Sequence, residues 1–455
     1  MTIAAVATPP GEGAIAIVRV SGPDACGVAR AVLRRRDGGA VGNLEPRRAW
    51  VGVAVEPGTG RVIDEVLALW MPGPASYTRE DVLEIQCHGG HVAARRVLEA
   101  CLESGARLAR PGEFTLRAFL NGRIDLVQAE SVLDVIRARS DEALRVHEAL
   151  LAGALSRDVE RWQQALTEPL ALLEAHLDFP EEDIGALDAD RILERVRSVA
   201  SDLEEKLGTW AWGRTAREGF TAVLVGVPNT GKSSLLNRLL GEDRAIVTEI
   251  PGTTRDLLEG WVQAGGLPVR VVDTAGLRPA GDRVEEEGVR RARRAVERAD
   301  CVLLVCDGSR GLSHEEREEA RALAGRGNLI PVVNKVDLGR VPEGDLEALT
   351  GVPPVCVSAK TGEGVGHLLR VLGERAGAGR GPSAEAPLTR ERHRRHVAEA
   401  LGCLRRAAEI LEEGRYPEVA ASEIHGARRH LAELLGWGTP EDVLDRIFSQ
   451  FCIGK

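Results

Sequence analysis

The sequence predicts a multidomain α/β plus α protein: an N-terminal α+β segment, then a helical bundle, with an α/β segment inserted into the bundle. Three observations carry this expectation. The chain has 455 residues, room for roughly three domains at about 150 residues each. Its apolar residues recur at strand spacing, then at helix spacing, then as buried strand runs alternating with helices, then at helix spacing again. The breaks between these regimes fall at turn and linker residues.

Taken in order, Ala14 to Val20 is a β-rich run entered through Pro9-Pro10-Gly11 and left through Ser21-Gly22-Pro23. Val62 to Met71 and Val82 to Gln86 are two further strands, and Val92 to Glu103 is a helix with Val92, Val97, Leu98 and Leu102 as its apolar positions. From Leu126 the period becomes helical. Val127, Val132, Val135 and Ile136 lead into Val146, Leu150, Leu151 and Leu155, then Trp162, Leu166, Leu170 and Leu173. Asp178 to Asp183 interrupts that pattern before a further helical stretch from Ile192 to Leu207. A long helical region of this kind predicts a bundle. Between Phe220 and Gly373 strands alternate with helices, Ala376 to Pro387 reads as a linker, and Val397, Leu401, Leu404 and Leu411 resume one helical face. Thr439-Pro440 is expected to start a last helix as cap and first helical residue. The expected segments are therefore 1–120, 121–215, 216–375 and 376–455.

Composition limits the function classes. Lys+Arg 59 against Asp+Glu 69 gives a net charge of -10, which argues against a globally basic nucleic-acid binder. Aromatic residues make up only 3%, too few for extended base-stacking platforms. The eight cysteines form no CxxC pair and do not read as a disulfide framework, so a reducing cytoplasm is expected. No basic leader is visible before Pro10, and no run approaches the roughly 18–20 apolar residues that span a bilayer.

The chemistry is concentrated in the inserted segment. Gly226-Val-Pro-Asn-Thr-Gly-Lys-Ser233 follows the strand Thr221 to Val225 and precedes a helix near Ser234. In that context the loop amides and helix N-terminus cradle a phosphate. Asn229, Thr230, Gly231 and Ser234 line it, Lys232 adds a point charge, and the Ser233 hydroxyl is a Mg²⁺ ligand. Asp273-Thr274-Ala275-Gly276 follows the strand Val269 to Val272, bringing a carboxylate to Mg²⁺ and the Gly276 N–H to the terminal phosphate. Asn334-Lys335-Val336-Asp337 follows another strand, and Asp337 can accept hydrogen bonds from N1–H and the 2-amino group of guanine. Ser358-Ala359-Lys360 would cover the base. Together these resemble the motif set of GTPases in order and spacing. Thr254, in Gly252-Thr-Thr-Arg-Asp256, resembles the switch threonine that completes Mg²⁺ coordination. Leu277 stands where many small GTPases carry a water-orienting glutamine, so that task falls elsewhere. Glu285 is the candidate through a bridging water. Arg278 reads as structural, and Asn229 is placed to help ligate a monovalent cation in place of an arginine finger.

Outside that segment, Thr2 to Gly11, Ser76 to Val82, Cys87-His-Gly-Gly90, Arg110 to Phe114, Ala118 to Asn121, Leu177 to Pro180 and Phe451-Cys-Ile-Gly-Lys455 resemble the bacterial tRNA-modification GTPase family MnmE, also called TrmE. The matches run from residue 2 to residue 455. The resemblance implies a K⁺-stimulated GTPase working with an FAD-containing partner of the GidA/MnmG family, in a heterotetramer or larger complex. Together they add an aminomethyl or carboxymethylaminomethyl group at C5 of the wobble uridine of tRNA, with the one-carbon unit from a tetrahydrofolate derivative. It also implies a homodimer formed through an N-terminal folate-binding domain, with G domains meeting when GTP and K⁺ are bound. By motif match the folate contacts are Arg19, Glu84, Arg123 and Lys455. Arg123, in Asn121-Gly-Arg-Ile-Asp125, replaces a family lysine with a planar fork. K⁺ falls to Asn229, Thr248, Ile250 and Thr253, and Mg²⁺ to Ser233 and Thr254.

Read without the family, Arg19 is a strand-edge residue in a surface ion pair. Cys452, near the chain end, is either a nucleophile or a small apolar residue beside Phe451 and Ile453. His88, lacking a second ligand at helical or hairpin spacing, reads as a turn-stabilising histidine rather than a general base or metal ligand. The run Arg390 to Arg395 reads as the solvated start of a helix before it reads as a tRNA phosphate contact. The rivals are a ribosome-assembly GTPase, which needs a basic RNA-binding module outside 220–373, and a signalling switch without folate affinity.

Overall fold

The computed structural model describes residues 1–178, 189–241, 259–273, 285–339, 343–379, 381, 386–414 and 416–455, with the backbone alone for 285–289, 291, 292 and 343. Two compact units emerge, Met1–Leu133 with Ala432–Lys455, and Asp134–Leu431. Residues 432–455, remote in sequence, thus pack with the first 133. The mixture of two sheets and many helices is the multidomain α/β plus α architecture expected.

The first unit is built on a seven-stranded sheet of β1 (Ile3–Val6), β2 (Ile15–Ser21), β3 (Leu33–Arg34), β4 (Ala49–Val55), β5 (Val62–Met71), β6 (Val82–His88) and β7 (Arg107–Leu108), in the order β3-β4-β5-β6-β2-β1-β7. The β2–β6 pair is antiparallel and sets Arg19 opposite Glu84 and Ile15 opposite His88. Period-two alternation decides what each face carries. Ala16, Val18 and Val20 of β2 and Leu83, Ile85 and Cys87 of β6 point into the core, where helices α1 (Ala25–Val32) and α2 (His91–Glu103) close over them. Each large apolar side chain so buried contributes about 1.5–3 kcal/mol. Arg19, Glu84, Gln86 and His88 face the other way. Helices α3 (Glu113–Leu120) and α4 (Leu126–Arg137) follow β7.

In the second unit, Ser140 caps α5 (Asp141–Leu151) by accepting from Ala143 N at 3.2 Å. Helices α6 (Ala154–Ala165), α7 (Thr167–Asp178), α8 (Ala189–Gly208) and α9 (Trp210–Glu218) lead to a six-stranded sheet. Its strands are β8 (Phe220–Val225), β9 (Glu259–Ala264), β10 (Leu267–Asp273), β11 (Cys301–Asp307), β12 (Leu329–Asn334) and β13 (Val355–Cys356), ordered β13-β12-β11-β8-β10-β9. All neighbours are parallel except β9–β10. The strands are nearly continuous apolar runs because helices α10 (Lys232–Leu240), α11 (Glu285–Arg298), α12 (His314–Leu323), α13 (Glu343–Thr350) and α14 (Val365–Ala376) accompany them. Past the α/β segment come α15 (Glu391–Glu412) and α16 (Pro417–Leu434), and α15 packs along α8 from before it.

The last helix, α17 (Glu441–Phe448), returns to the first unit, where Leu444, Phe448 and Phe451 pack with Leu126, Ala129 and Leu133. Pro440 is its N-cap in extended conformation, not its first helical residue, so the cap lies one residue later than the sequence suggests. Arg390, expected in solvent, is also different. It is the N-cap of α15 and its guanidinium is mostly buried against Asp134, at 2.9 and 3.1 Å. The solvated reading holds for Arg394, which pairs with Glu391 in the first turn. Among the described residues no helix is long and apolar enough to cross a membrane.

Candidate functional site

In open parallel sheets ligands bind beyond the carboxyl ends of the strands, and the predicted motifs of the α/β segment gather there. β8 ends at Val225, and the loop from Gly226 passes through Asn229 and Gly231, both with positive φ, before α10 begins at Lys232. Such left-handed positions turn successive amides toward one point, a concave anion site. Lys232 is buried, its Nζ donating to the carbonyls of Gly226 at 2.7 Å and Val227 at 2.8 Å. The Thr230 hydroxyl braces the same loop on Val227 O at 3.1 Å, and Ser234 sits in the first turn of α10.

β10 ends at the fully buried Asp273, whose Oδ2 accepts from Ser233 Oγ at 2.6 Å. A hydroxyl and a carboxylate brought together from two motifs are hard oxygen donors of the kind Mg²⁺ takes. At the end of β12, Asn334 ties three motifs together. Its Nδ2 donates to Thr230 O at 2.9 Å, and its Oδ1 accepts from Ala359 N at 3.0 Å. Lys335, in the left-handed region, donates to Asn229 O at 2.7 Å and to Asp307 Oδ2 at 2.6 Å. Asp337 Oδ1 accepts from Ser358 Oγ at 2.7 Å, while Arg238 of α10 donates to the carbonyls of Ala359 (2.9 Å) and Lys360. Asp307 escaped sequence reasoning because it only ends a strand. Burial pushes its carboxyl up, but Lys335 and Ser309 outweigh that and hold it below its usual value. Thr248, Ile250, Thr253, Thr254, Thr274, Ala275 and Gly276 lie outside the described residues, as do Leu277 and Arg278, and of Glu285 only the backbone at the start of α11 is described.

The open face of the other sheet carries a second cluster. Arg19 donates from Nε to Glu84 Oε1 at 2.8 Å, and its Nη2 lies 2.8 Å from the same oxygen. Its Nη1 reaches the carbonyl of Gly454 at 3.4 Å. A pair that reads in sequence as surface is mostly buried here. Tyr77, which sequence reasoning passed over, lies under two guanidiniums, with Arg19 Cζ 5.4 Å and Arg123 Cζ 4.7 Å from its ring centroid. Arg123 also donates to Tyr77 O at 3.0 Å. Lys455 is drawn in as well: burial and then the charge of Arg19 lower its ammonium pKa, with Glu84 opposing. The structure therefore brings together all four residues Arg19, Glu84, Arg123 and Lys455. Cys452, in the same tail, is exposed.

His88 differs from its sequence reading. It is the last residue of β6, not part of a turn, and its ring is held by Asp64 across the sheet. The partner was illegible because it comes from another strand, 24 residues away.

The phosphate loop, the Ser233–Asp273 pair and the Asn334–Asp337–Ser358 arrangement on a parallel sheet define a P-loop GTPase. The remainder of the chain narrows that class. Residues 126–452 match the family model described as MnmE helical domain, and residues 2–123 match that of the GTP-binding protein TrmE N-terminus. The tRNA modification GTPase MnmE of Geobacter sulfurreducens is 47% identical over 456 residues, covering 100% of this chain and 99% of the relative. That of Symbiobacterium thermophilum is 48% identical with the same coverage. Among solved structures, the G domain of the T. maritima FeoB iron transporter matches 34% of this chain and 98% of its own at 26% identity, with a TM-score of 0.28. The chain belongs to the MnmE (TrmE) family.

Proposed function

We propose that this protein is the GTP-hydrolysing component of a system that modifies C5 of the wobble uridine of tRNA, taking a one-carbon unit from a tetrahydrofolate derivative. The relatives are named for tRNA modification and GTP hydrolysis, and both extend over the whole chain. The observation that supports the folate reading best is the convergence of Arg19, Glu84, Arg123 and Lys455 on one side of the N-terminal sheet. A carboxylate there suits the amino-amide edge of a pterin, and the surrounding cations suit a glutamyl tail.

In this reading residues 1–120 form the dimerisation and folate-binding domain, 121–215 and 376–455 the helical domain, and 216–375 the G domain. Asn229 to Ser234 and Lys232 hold the phosphates, and Asp337 selects guanine. Ser233, with Thr254, would hold Mg²⁺, which neutralises charge developing on the phosphoryl oxygens. Asn229, Thr248, Ile250 and Thr253 would hold K⁺, Glu285 would order the attacking water, and Cys452 would act near the folate carbon. The working assembly is a cytoplasmic homodimer joined to an FAD-dependent partner of the GidA/MnmG family and to tRNA.

Titration of the intact dimeric protein with 5-formyltetrahydrofolate tests the reading. Saturable binding that is weakened by Glu84→Ala is expected, and no binding overturns the modification reading in favour of a ribosome-assembly or signalling GTPase. In the same preparation GTP hydrolysis is expected to run faster in K⁺ than in Na⁺. Equal rates would remove the cation role.

A further inference from the structure

Arg238 lies on α10, the helix that begins at the phosphate-loop Lys232. Its half-buried side chain reaches the base-covering loop, where Nε donates to Ala359 O at 2.9 Å and Nη2 donates to Lys360 O. One planar fork thus holds the carbonyls of two successive residues, a geometry that a lysine cannot reproduce. The phosphate and guanine contacts described above leave this clamp unexplained.

The amides of the clamped loop show what it achieves. Ser358 N donates to Glu363 O at 2.8 Å, and Ala359 N donates to Asn334 Oδ1 at 3.0 Å. Thr361 N goes to Ser358 Oγ at 3.1 Å, Gly362 N to Ser358 O at 2.8 Å and Glu363 N to Thr361 Oγ1 at 3.3 Å. Among the described residues, no acceptor takes the Lys360 N–H. Its direction follows from the peptide plane. The cis bond is at Gly73–Pro74, so in this loop each C=O and the N–H that follows it point opposite ways. The 360–361 peptide has its carbonyl on Arg238 and its N–H on Ser358 Oγ, the hydroxyl that donates to Asp337 Oδ1 at 2.7 Å. The side of the loop away from Arg238 is therefore the side of Asp337. The 359–360 peptide has its carbonyl on the same guanidinium, which turns Lys360 N–H to that side as well.

We propose that Arg238 is a positioning residue for guanine recognition, holding Lys360 N–H where it donates to the purine 6-oxo group. This rests on the reading of Asp337 as the acceptor for N1–H and the 2-amino group. In guanine the 6-oxo carbon is bonded to N1. A base read by Asp337 therefore brings that oxygen beside the loop that Asp337 anchors through Ser358. The oxygen needs a donor, and Lys360 N–H is the amide the loop has left. Adenine carries an amino group at the same position and would set donor against donor. Without the clamp nothing fixes the 359–360 peptide against rotation, and a turned peptide presents the Ala359 carbonyl, an acceptor, to the same oxygen.

The experiment uses the full chain in fluorescent-nucleotide competition by GDP, ADP and 6-thio-GDP. In the last of these sulfur replaces the 6-oxo oxygen, while N1–H and the 2-amino group stay. Wild type is expected to prefer GDP over 6-thio-GDP about tenfold, the scale of one good hydrogen bond. Arg238→Ala is expected to weaken GDP about tenfold and 6-thio-GDP less than about threefold, so that the preference collapses. The KM for GTP should rise in parallel, with kcat moving far less. Arg238→Lys keeps the stem and the charge but not the fork, and it should lose most of the preference at a wild-type thermal unfolding midpoint. GDP affinity in Arg238→Ala within about twofold of wild type overturns the proposal. So does an equal loss for GDP and 6-thio-GDP, which marks Arg238 as a structural brace. Full preference retained in Arg238→Lys, or a wild type indifferent to the sulfur, overturns it as well. A wild type that does not prefer GDP over ADP instead removes the guanine reading, and that failure is read before any variant is compared.

Discussion

At Gly231 the backbone holds φ at +92°, and a Cβ there would collide with the Asn334 amide nitrogen. Both the turn and the close approach require glycine, because Asn334 must reach Thr230 O to fasten the guanine-reading strand to the phosphate loop. Gly231→Ala is expected to weaken GTP binding at least tenfold, since strain of this kind costs about 1–3 kcal/mol. A fluorescent-nucleotide titration showing wild-type affinity would contradict this. Glu113 gives a pH prediction at the same scale. Burial pushes its carboxyl up, but bonds from Arg107, the Arg110 N–H and Arg117 outweigh burial and hold it at about 2. A carboxyl with a depressed folded pKa contributes stability above its unfolded value of 4.5, and that stability is lost as pH falls through about 2. The shift corresponds to about 3 kcal/mol, so the wild type should lose stability steeply across that window and Glu113→Gln much less, as read by urea unfolding.

Helices from distant parts of the chain are fastened by one acid. Asp134, in α4, accepts from Arg390 at the head of α15 and from Arg217 Nε of α9 at 3.3 Å. His147 of α5 is buried beside them. Burial, with the two arginines adding to it against Asp134, lowers its pKa to about 4, so it sits there as a neutral imidazole. Asp134→Ala would remove the mostly buried carboxylate that Arg390 and Arg217 share. The expected cost is about 3–5 kcal/mol in denaturant unfolding, with Asp134→Asn retaining part of it. An unfolding midpoint unchanged in the alanine variant would show the cluster to be dispensable. The helices themselves were legible from their apolar period, as in α5 and α15. Their fastening was not, because Asp134 and Arg390 are 256 residues apart and each reads alone as surface.

Across the whole molecule, the nucleotide site lies in one compact unit and the Arg19–Glu84 cluster in the other. The chain end contributes to the second. Gly454 has φ of +96°, and a Cβ there would strike Val6 O, so the tail lies directly on the β1 strand end while its carbonyl meets Arg19. Deleting Gly454 and Lys455 is therefore expected to abolish 5-formyltetrahydrofolate binding while leaving GTP affinity within twofold. Retained folate affinity would show the tail to be ornamental. The sequence by itself determined the P-loop, the guanine-reading strand ends and the helical or extended character of the segments. Those signals are local: glycine spacing, apolar period and motif order each act within one element and its neighbouring turns. Only the tertiary structure decided that Asp307 would hold Lys335, that Tyr77 would lie under Arg19 and Arg123, and that Asp64 would aim His88 outward. Each of these joins groups from different strands or loops, and such pairs are set by sheet register and packing, which no single stretch of chain encodes.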